Sequence, residues 1–410
     1  MAVQNQKLFH EIEQLKTEMA TALMELIRIP AIAPENGGDG ELQKAEKLAQ
    51  ILGEVGFDKI ERCDAEDQRV SSGKRPNIIA YYNGEVDAKR LWIVTHMDIV
   101  PPGEESLWTI TNPYEPLLKD NRVYGRGSED NGQSAIASVF AVKALKRLGI
   151  RPKRTVALAF VADEEQGSTM GIQHLIRKGL FRKNDLIVVP DGGASDGSFI
   201  EIAEKSILWF KIRTVGKQVH ASLPNKGLNA HRVGMQVAVA LDKMLHEKYA
   251  LKDDKFDVPE STFEPTKKDK NVDAVNIIPG EDTAYFDCRI LPDYDVDEVF
   301  AEINRVTAEF ERKTGAKITL EILQKQVAPK LKIDNAEVVA LLKKAVKEAR
   351  GLDARVGGIG GGTCAAFFRQ IGIPAVVWST VDEVAHQPNE YAKIEDMVND
   401  AKIFALLAII

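Results

Sequence analysis

Residues 91–102, LWIVTHMDIVPP, are the stretch from which the rest of the chain is interpreted. The stretch begins as a short apolar run, which is typical of a buried strand, and ends at two prolines, which cannot continue a strand ladder. His96 and Asp98 lie two positions apart at its end, on one side of an extended chain. A histidine at the tip of a buried strand with a carboxylate beside it is how proteins present an oriented metal ligand. A core histidine beside a surface aspartate is the alternative.

Length, composition and charge limit the classes of protein to consider. The 410 residues are 44% hydrophobic and 28% charged, as in an ordinary globular protein, and the length predicts two domains. A net charge of −7 argues against a nucleic-acid partner. No apolar stretch reaches the ~18 residues of a membrane span, and the N-terminus is too polar for a signal peptide. Three scattered cysteines fit neither a disulfide framework nor a thiolate zinc site. We therefore expect a cytoplasmic protein with no membrane partner.

Strand and helix patterns alternate through most of the chain. Helical spacing of apolar residues covers residues 8–27, 42–55, 134–148, 171–178 and 336–349, and strand patterns cover 77–82, 91–100, 155–162, 186–189 and 375–378. The alternation predicts the α/β class, with a mostly parallel sheet and helices on both faces.

The pattern changes between residues 206 and 325. Half-buried strand patterns at 207–215 and 282–291, helical patterns at 230–245 and 296–313, and a strand at 317–323 predict an antiparallel sheet with two helices. Residues 251–271 are polar and are interpreted as a surface loop. We therefore expect one domain at residues 1–205 and 326–410, with a second α+β domain, residues 206–325, inserted into it.

Acidic residues and a second histidine accompany His96 at the ends of predicted strands and in a turn. They are Asp130 in GRGSEDNG (125–132), Glu164 and Glu165 in ADEEQGS (162–168), Asp191 in PDGG (190–193) and His386 in AHQPNEY (385–391). The carboxyl ends of parallel strands share one edge of a sheet, where open α/β proteins place their sites. Two histidines and several carboxylates without a thiolate suit divalent ions such as Zn²⁺, Co²⁺ or Mn²⁺. An odd carboxylate between two histidine-bearing half-sites indicates a paired-metal centre.

Several motifs together resemble a known family, the paired-zinc amidohydrolases and metallopeptidases. This family includes aminoacylases, acetylornithine deacetylases, succinyl-diaminopimelate desuccinylases, glutamate carboxypeptidases and PepV-type dipeptidases. The matching motifs, in order, are THMDIVPPG, WTITNPYEP, YGRGSEDNG, ADEEQGS, PDGG, VHASLPNKGLNA, the late GGGT and AHQPNEY. The resemblance covers nearly the whole chain.

The resemblance implies a role for each residue of the predicted centre. His96 and Asp191 would hold one metal ion, Glu165 and His386 the other, and Asp130 would bridge the two ions, for which Zn²⁺ comes first and Co²⁺ or Mn²⁺ are alternatives. Asp98 would orient His96, and Glu164 would be the general base that deprotonates water and then protonates the leaving amine. The resemblance also implies a cis peptide bond between Asp130 and Asn131.

The resemblance makes the inserted segment a lid and dimerisation domain. It implies that His220 reaches the site of the partner subunit in a homodimer and stabilises the oxyanion; a surface histidine at a strand end is the alternative. Four further residues would bind the substrate carboxylate: Asn276, Arg289, Gly362 and Thr363. A cross-strand salt bridge is the alternative for Arg289. Cys364 is interpreted as a small buried filler rather than a nucleophile.

The expected function is hydrolysis of an amide bond beside a free carboxylate. The substrate would be an N-acyl amino acid or a short peptide, and the overall pattern favours a deacylase of the desuccinylase or acetylornithine deacetylase kind. Cys364-Ala365 after GGGT, where desuccinylases usually have Ser-Asp, favours a dipeptidase or carboxypeptidase instead. A non-catalytic metal-binding scaffold is the alternative from another class, whereas an NAD- or ATP-using enzyme lacks its phosphate motif.

Overall fold

The computed structural model describes residues 2–410, which divide into two compact units. The larger unit extends to Ile202 and includes Leu331–Val356 and Thr363–Ile410, and the smaller unit comprises Ala203–Lys330 and Gly357–Gly362. The sequence predicted the domain boundaries after residues 205 and 325, and it assigned residues 357–362 to the larger domain instead of the smaller unit. It also begins at residue 1, which lies outside the described residues. That the units are a catalytic and a lid domain stays a prediction.

Ten helices lie within the described residues. They are α1 (Ala2–Gln14), α2 (Lys16–Ile27), α3 (Leu42–Val55), α4 (Ser134–Arg147), α5 (Ile172–Arg177), α6 (Ala230–Lys248), α7 (Val296–Thr314), α8 (Glu337–Arg350), α9 (Ala365–Gln370) and α10 (Ile394–Ile409). The continuous helical pattern at residues 8–27 corresponds to α1 and α2 in succession. None of the helices among the described residues combines the length and apolarity that crossing a bilayer requires.

The strands form one large sheet and several small ones. They are β1 (Lys59–Arg62), β2 (Ala65–Glu66), β3 (Lys74–Arg75), β4 (Ile78–Tyr82), β5 (Val86–His96), β6 (Leu117–Lys119), β7 (Arg122–Tyr124), β8 (Arg154–Val161), β9 (Leu186–Ala194), β10 (Phe199–Glu204), β11 (Ser206–Val215), β12 (Val219–His220), β13 (Thr262–Lys268), β14 (Ile277–Ile278), β15 (Glu281–Ile290), β16 (Lys317–Gln326), β17 (Arg355–Ile359), β18 (Ala375–Thr380) and β19 (Tyr391–Lys393).

The large sheet has eight strands in the order β1-β4-β8-β5-β9-β18-β10-β17. The four central strands, β8, β5, β9 and β18, are parallel, whereas β4 runs antiparallel to β8 and β10 runs antiparallel to β18. The α/β class is confirmed, with the parallel pairing concentrated at the centre of a mixed sheet. In the register of β5 and β8, His96 lies opposite Val161, so the segments that follow these two strands begin side by side.

Both faces of the central strands are buried. On β5, Ile93 belongs to the core cluster that contains residues of α3, α4 and α10, whereas Trp92 and Val94 belong to the cluster formed with α5 and α9. Because successive side chains of a strand point to opposite faces, a strand covered on both sides becomes a continuous apolar run. This burial is why residues 91–94 form the unbroken apolar run LWIV.

The smaller unit contains a four-stranded antiparallel sheet in the order β13-β15-β11-β16. Its core joins inward residues of β11, such as Phe210, to apolar residues of α6 and α7, such as Leu241 and Ile303. A short ribbon pairs β12 with β14. The predicted antiparallel sheet with two helices is therefore present.

The prediction of a surface loop at residues 251–271 is wrong for the second half of this segment, which contains β13. This edge strand is mostly exposed, but Phe263 is fully buried in the core of the smaller unit. Its register with β15 shifts between Pro265 and Lys267, as expected where a proline interrupts a ladder. Charged side chains and a proline are typical of edge strands, and they concealed the strand pattern.

Candidate metal centre

Two groups of potential ligands lie at the carboxyl end of the parallel strands, both within the larger unit. One group is His96, Glu164 and Asp191, and the other is Asp130, Glu165 and His386. Within each group, one ligand atom from each residue lies within 4.8 Å of the others. All six residues were singled out from the sequence, and the structure brings them together.

Asp130 connects the two groups through its two carboxylate oxygens. Oδ1 lies 2.7 Å from Nε2 of His96, and Oδ2 lies 3.0 Å from Nε2 of His386. Asp191 and Glu165 complete the groups, with oxygens 3.4 Å and 3.2 Å from the same two histidine nitrogens. A carboxylate with one oxygen toward each half-site has the geometry of a bridging ligand.

Between His96 and Asp130, the orientation of the two facing atoms fits a shared metal ion better than a direct hydrogen bond. Nε2 of His96 and Oδ1 of Asp130 are both buried, and neither has a hydrogen-bond partner among the described residues although the two atoms are 2.7 Å apart. A cation bound by both atoms would satisfy them. Imidazole nitrogens and carboxylate oxygens in this combination suit a borderline divalent cation, so the residues present fit a paired-metal site.

The ring of His96 is held mainly by the backbone. Its Nδ1 lies 3.0 Å from the carbonyl oxygen of Asp98 and 3.6 Å from the Asp98 carboxylate. The carboxylate of Asp98 instead accepts hydrogen bonds from the backbone N–H groups of Glu164 and Glu165, each at 3.0 Å. Asp98 thus joins the strand that ends at His96 to the turn that carries both glutamates.

The turn that carries Glu164 and Glu165 begins at Asp163, which has a left-handed backbone with φ +66°. The Asp163 carbonyl accepts a hydrogen bond from the backbone N–H of Ser168 at 2.6 Å. Arg75 lies 3.4 Å from the Asp163 carboxylate and also pairs with Glu41, and both Arg75 and Glu41 are fully buried. The sequence interpretation missed this buried ion-pair network, because its members come from separate segments with no shared motif.

Two further glutamates, also missed, hold the loops that present Asp130 and His386. Glu390 accepts hydrogen bonds from the backbone N–H groups of Gly127, Glu129 and Asp130. Glu129 in turn accepts hydrogen bonds from the backbone of residues 382, 384 and 385, immediately before His386. Each loop therefore supplies the acceptor for the other. The one indication of their importance in the sequence was that they lie inside the motifs GRGSEDNG and AHQPNEY.

Local backbone geometry brings Asp130 into place. Gly127 has φ +79°, and a Cβ there would lie 2.6 Å from Cγ2 of Ile99, so a glycine is required at this turn. The peptide bond between Asp130 and Asn131 is cis, which confirms the expectation from the resemblance. The side-chain amide of Asn131 donates hydrogen bonds of 2.8 Å to the Pro190 carbonyl and to the Asp191 carboxylate.

The electrostatics of the centre are dominated by its carboxylates. Burial alone would lower the pKa of His96, but Asp191 and Asp130 raise this pKa well above its ordinary value. Hydrogen bonds to Asp130 and Glu165 raise the pKa of His386 to about 10. Burial, followed by the charge of Asp191, raises the pKa of Glu164 well above its ordinary value. An excess of carboxylates that stabilises positive charge on both imidazoles would equally stabilise bound cations.

Cys364 lies beside Glu164 and is 2% exposed. Its Sγ is 3.6 Å from Oε1 of Glu164 and 3.4 Å from Oγ of Ser168. Burial, followed by the charge of Glu164, raises the pKa of this thiol well above its ordinary value. The interpretation of Cys364 as a buried filler is correct about its burial but missed its polar contacts.

The remaining predicted site residues lie mostly in the smaller unit. His220 is exposed, with its Nδ1 2.7 Å from Oγ of Ser222. Asn276 lies at the end of the same ribbon, where its carbonyl accepts a hydrogen bond from the N–H of Ala221. The roles predicted for these two side chains, oxyanion stabilisation by His220 and carboxylate binding by Asn276, stay predictions.

Arg289 makes a salt bridge within its own strand, β15, and not the cross-strand salt bridge that was its alternative interpretation. Its guanidinium forms two hydrogen bonds with Asp287, at 2.7 Å and 3.0 Å, and donates a third to the carbonyl of Gly360. Gly362 belongs to this unit and lies against the side chain of Gln326. Thr363 begins the last segment of the larger unit, where its hydroxyl oxygen accepts a hydrogen bond from the N–H of Ala365.

Comparison with known proteins places this chain among metallohydrolases. Residues 92–409 match peptidase family M20/M25/M40. An uncharacterised metallohydrolase of Methanocaldococcus jannaschii is 43% identical over 396 residues, which cover 93% of this chain and 96% of that protein. A succinyl-diaminopimelate desuccinylase of Nitratiruptor is 27% identical over 315 residues, covering 76% and 81% of the two chains.

The same fold occurs in solved structures. The aminopeptidase PepT of Bacillus cereus superposes with a TM-score of 0.75 at 19% identity, covering 96% of this chain and 98% of the other. The family match over residues 92–409 and the 43% identical relative confirm the family resemblance inferred from the motifs, and they favour the hydrolase prediction over the metal-binding scaffold. Members of the family act on small molecules or peptides. This chain belongs to peptidase family M20/M25/M40 and is a metal-dependent amidohydrolase with a site for two divalent ions.

Proposed function

We propose that this enzyme is an N-acyl-amino-acid deacylase that uses two Zn²⁺ ions to hydrolyse an amide bond beside a free carboxylate. The desuccinylase among its relatives supports a deacylase. The nitrogen and oxygen donor set supports zinc. His96 and Asp191 would hold one ion, Glu165 and His386 the other, and Asp130 would contact both.

The observation that carries this proposal is the environment of Glu164. A carboxylate oxygen of Glu164 lies within 4.8 Å of ligand atoms of His96 and Asp191. Within residues 2–410, the thiol of Cys364 provides its one side-chain hydrogen bond, and no cation pairs with it. The neighbouring Glu165 contacts His386, whereas Glu164 is free to exchange a proton at the centre.

The reaction follows from the positions of these residues. Bound divalent ions would polarise the scissile carbonyl and the attacking water. Glu164 would accept a proton from that water and pass it to the leaving nitrogen, so that the amide C–N bond breaks to give a carboxylic acid and an amine. The acid would then lose its proton to solvent and leave as a carboxylate. Asp98 would keep Glu164 in reach by holding the backbone of its turn.

Five residues outside the metal centre would supply the substrate contacts. We propose that His220 donates a hydrogen bond to the oxyanion, which contributes roughly 3–4 kcal/mol to lowering the barrier. Asn276, Arg289, Gly362 and Thr363 would bind the free carboxylate of the substrate. Arg289 would use its fork for this purpose only by giving up its bonds to Asp287.

Paired variants of the adjacent glutamates test the base assignment. Glu164→Gln should keep both metal ions and lower kcat by roughly 10²–10⁴-fold, the usual contribution of general acid–base catalysis. Glu165→Gln should instead lose metal, measured by elemental analysis of the purified protein. Undiminished turnover by Glu164→Gln would refute the assignment.

A second candidate, a dipeptidase or carboxypeptidase, is favoured by Cys364-Ala365 after the glycine turn. A panel of succinyl-amino acids, acetyl-amino acids and dipeptides, each with a matching amide in place of the free carboxylate, separates the candidates. The deacylase proposal predicts release of amine from the acyl compounds and loss of activity with the amides. Faster hydrolysis of dipeptides would support the alternative.

We further propose a cytoplasmic homodimer formed through the lid. A cytoplasmic location fits three cysteines that are all free, and the exposed position of His220 fits action in the partner's site. Mixing inactive His220→Ala with inactive Glu164→Gln should restore part of the activity, because a mixed dimer has one complete site. A monomer in light scattering, or no restored activity, contradicts this proposal.

A further inference from the structure

The contacts of Cys364 have no part in the reaction described so far. Its thiol lies between Glu164 and Ser168, with sulfur-to-oxygen distances of 3.6 Å and 3.4 Å. All three residues belong to the larger unit, although nearly two hundred residues separate Cys364 from the other two along the chain.

The direction of these hydrogen bonds follows from the chemistry of the groups. A general base must be ionised before it takes a proton from water, and an ionised carboxylate only accepts hydrogen bonds, so the S–H of Cys364 donates to Oε1 of Glu164. The sulfur can then accept from the hydroxyl of Ser168. A buried thiol beside a carboxylate takes its protonated form, which is the form that donates a hydrogen bond.

The far end of this chain of hydrogen bonds is firmly anchored. Ser168 is 1% exposed, and its backbone N–H donates a hydrogen bond of 2.6 Å to the carbonyl of Asp163. Asp163 immediately precedes Glu164. Ser168 therefore holds the backbone of the turn directly and the carboxylate of Glu164 through Cys364. A glutamate without such a contact could rotate about three side-chain bonds toward the neighbouring ligands.

We propose that Cys364 is a positioning residue for Glu164, whose Oε1 it holds so that the other carboxylate oxygen is left to exchange a proton with water. This inference rests on the proposed role of Glu164 as general base. In this role Cys364 acts through Glu164 alone and takes no part in the bond changes.

Three cysteine variants provide a kinetic test in the metal-loaded enzyme. Cys364→Ala removes the donor and should lower kcat roughly tenfold, the effect of about one hydrogen bond to a charged group, with KM and metal content unchanged. Cys364→Ser replaces the thiol by a hydroxyl donor and should restore most of kcat. Cys288→Ala is the matched control, because Cys288 is also buried but lies in the core of the smaller unit; its kcat should equal that of the wild type.

An infrared measurement on the zinc-loaded protein without substrate, where bound cations favour the ionised form of Glu164, tests the contact without activity. The S–H stretching band of Cys364 is identified as the band lost in both Cys364 variants. Because a neutral amide is a weaker acceptor than a carboxylate, Glu164→Gln should move that band to higher frequency, whereas the Cys288 band should stay in place.

The possible results separate this inference from the proposed function. Three results would each overturn the positioning role. They are a wild-type kcat in Cys364→Ala, an equal loss of kcat in Cys364→Ala and Cys364→Ser, and an S–H frequency that does not change in Glu164→Gln. Full activity of Glu164→Gln would overturn the general-base assignment itself. An inactive Glu164→Gln beside a fully active Cys364→Ala would overturn only the role of Cys364.

Discussion

Replacing Glu390 with glutamine should loosen the loop that carries Asp130 without changing the volume of the side chain. One carboxylate oxygen of Glu390 accepts from the N–H groups of Glu129 and Asp130, at 2.9 Å and 3.1 Å. The other oxygen accepts from the N–H of Gly127 at 3.0 Å and from the guanidinium of Arg126 at 2.7 Å. A glutamine has one oxygen, so its NH₂ group must face two donors in either orientation.

The size of the effect can be worked out from these contacts. A buried donor left without an acceptor costs about 1–3 kcal/mol. Arg126 is 2% exposed, and breaking a buried ion pair by removing one partner costs about 3–5 kcal/mol. These costs overlap within one network, so we expect Glu390→Gln to lose about 4–6 kcal/mol of unfolding free energy. Loss of an outer contact to a metal ligand should also weaken metal binding by roughly 10–100-fold.

Two measurements check the expectation for Glu390. Urea unfolding of the metal-free protein gives the loss of stability, and calorimetric titration with Zn²⁺ gives the loss of affinity. Glu395→Gln is the control, because Glu395 is exposed at the start of the following helix, where surface substitutions change stability by about 0.5 kcal/mol or less. If Glu390→Gln matched this control in both measurements, the hydrogen bonds that Glu390 accepts would not stabilise the loop that carries Asp130.

Three other predictions follow from the structure. Asp98→Asn should lower kcat roughly 10–100-fold because the backbone N–H of Glu164 or Glu165 loses its acceptor; wild-type kinetics would contradict this. A chelator should abolish turnover, and two equivalents of Zn²⁺ per chain, counted by titration, should restore it, whereas full activity at one equivalent would argue against two working ions. Burial raises the pKa of Asp400 from 3.8 to about 7, so the stability it contributes at low pH is lost as the pH rises through that range. At about 1.4 kcal/mol per pH unit, Asp400→Asn should remove up to about 4 kcal/mol of this dependence in urea unfolding, and an unchanged pH profile would refute the assignment.

The sequence predicted the central strands and the candidate ligands because both depend on local patterns. A strand buried on two faces must be apolar, and the polar residues that follow it mark its end at the sheet edge. Residues 42–55 illustrate the same point for a helix, since the amphipathic pattern and the glycine that follows it coincide with α3. Motif order then identified the six residues that the structure brings together.

Features that depend on distant partners could not be predicted in this way. Glu129 and Glu390 act by accepting hydrogen bonds from backbone groups more than 250 residues away, and nothing in their own neighbourhood indicates this. The strand at Thr262–Lys268 is polar because it lies at a sheet edge, and its pairing with β15 is visible only in three dimensions. The contact between Cys364 and Glu164 likewise spans 200 residues.

The exchange of acceptors between Glu129 and Glu390 has a consequence for biosynthesis. The backbone of residues 127–130 is synthesised long before Glu390, which lies about 260 residues further along the chain. Until Glu390 has been added, the N–H groups of Gly127, Glu129 and Asp130 lack the acceptor that holds them in the folded protein, and the ligand candidate His386 is also absent. We therefore expect the nascent polypeptide to have no hydrolase activity until residues 386–390 have been translated.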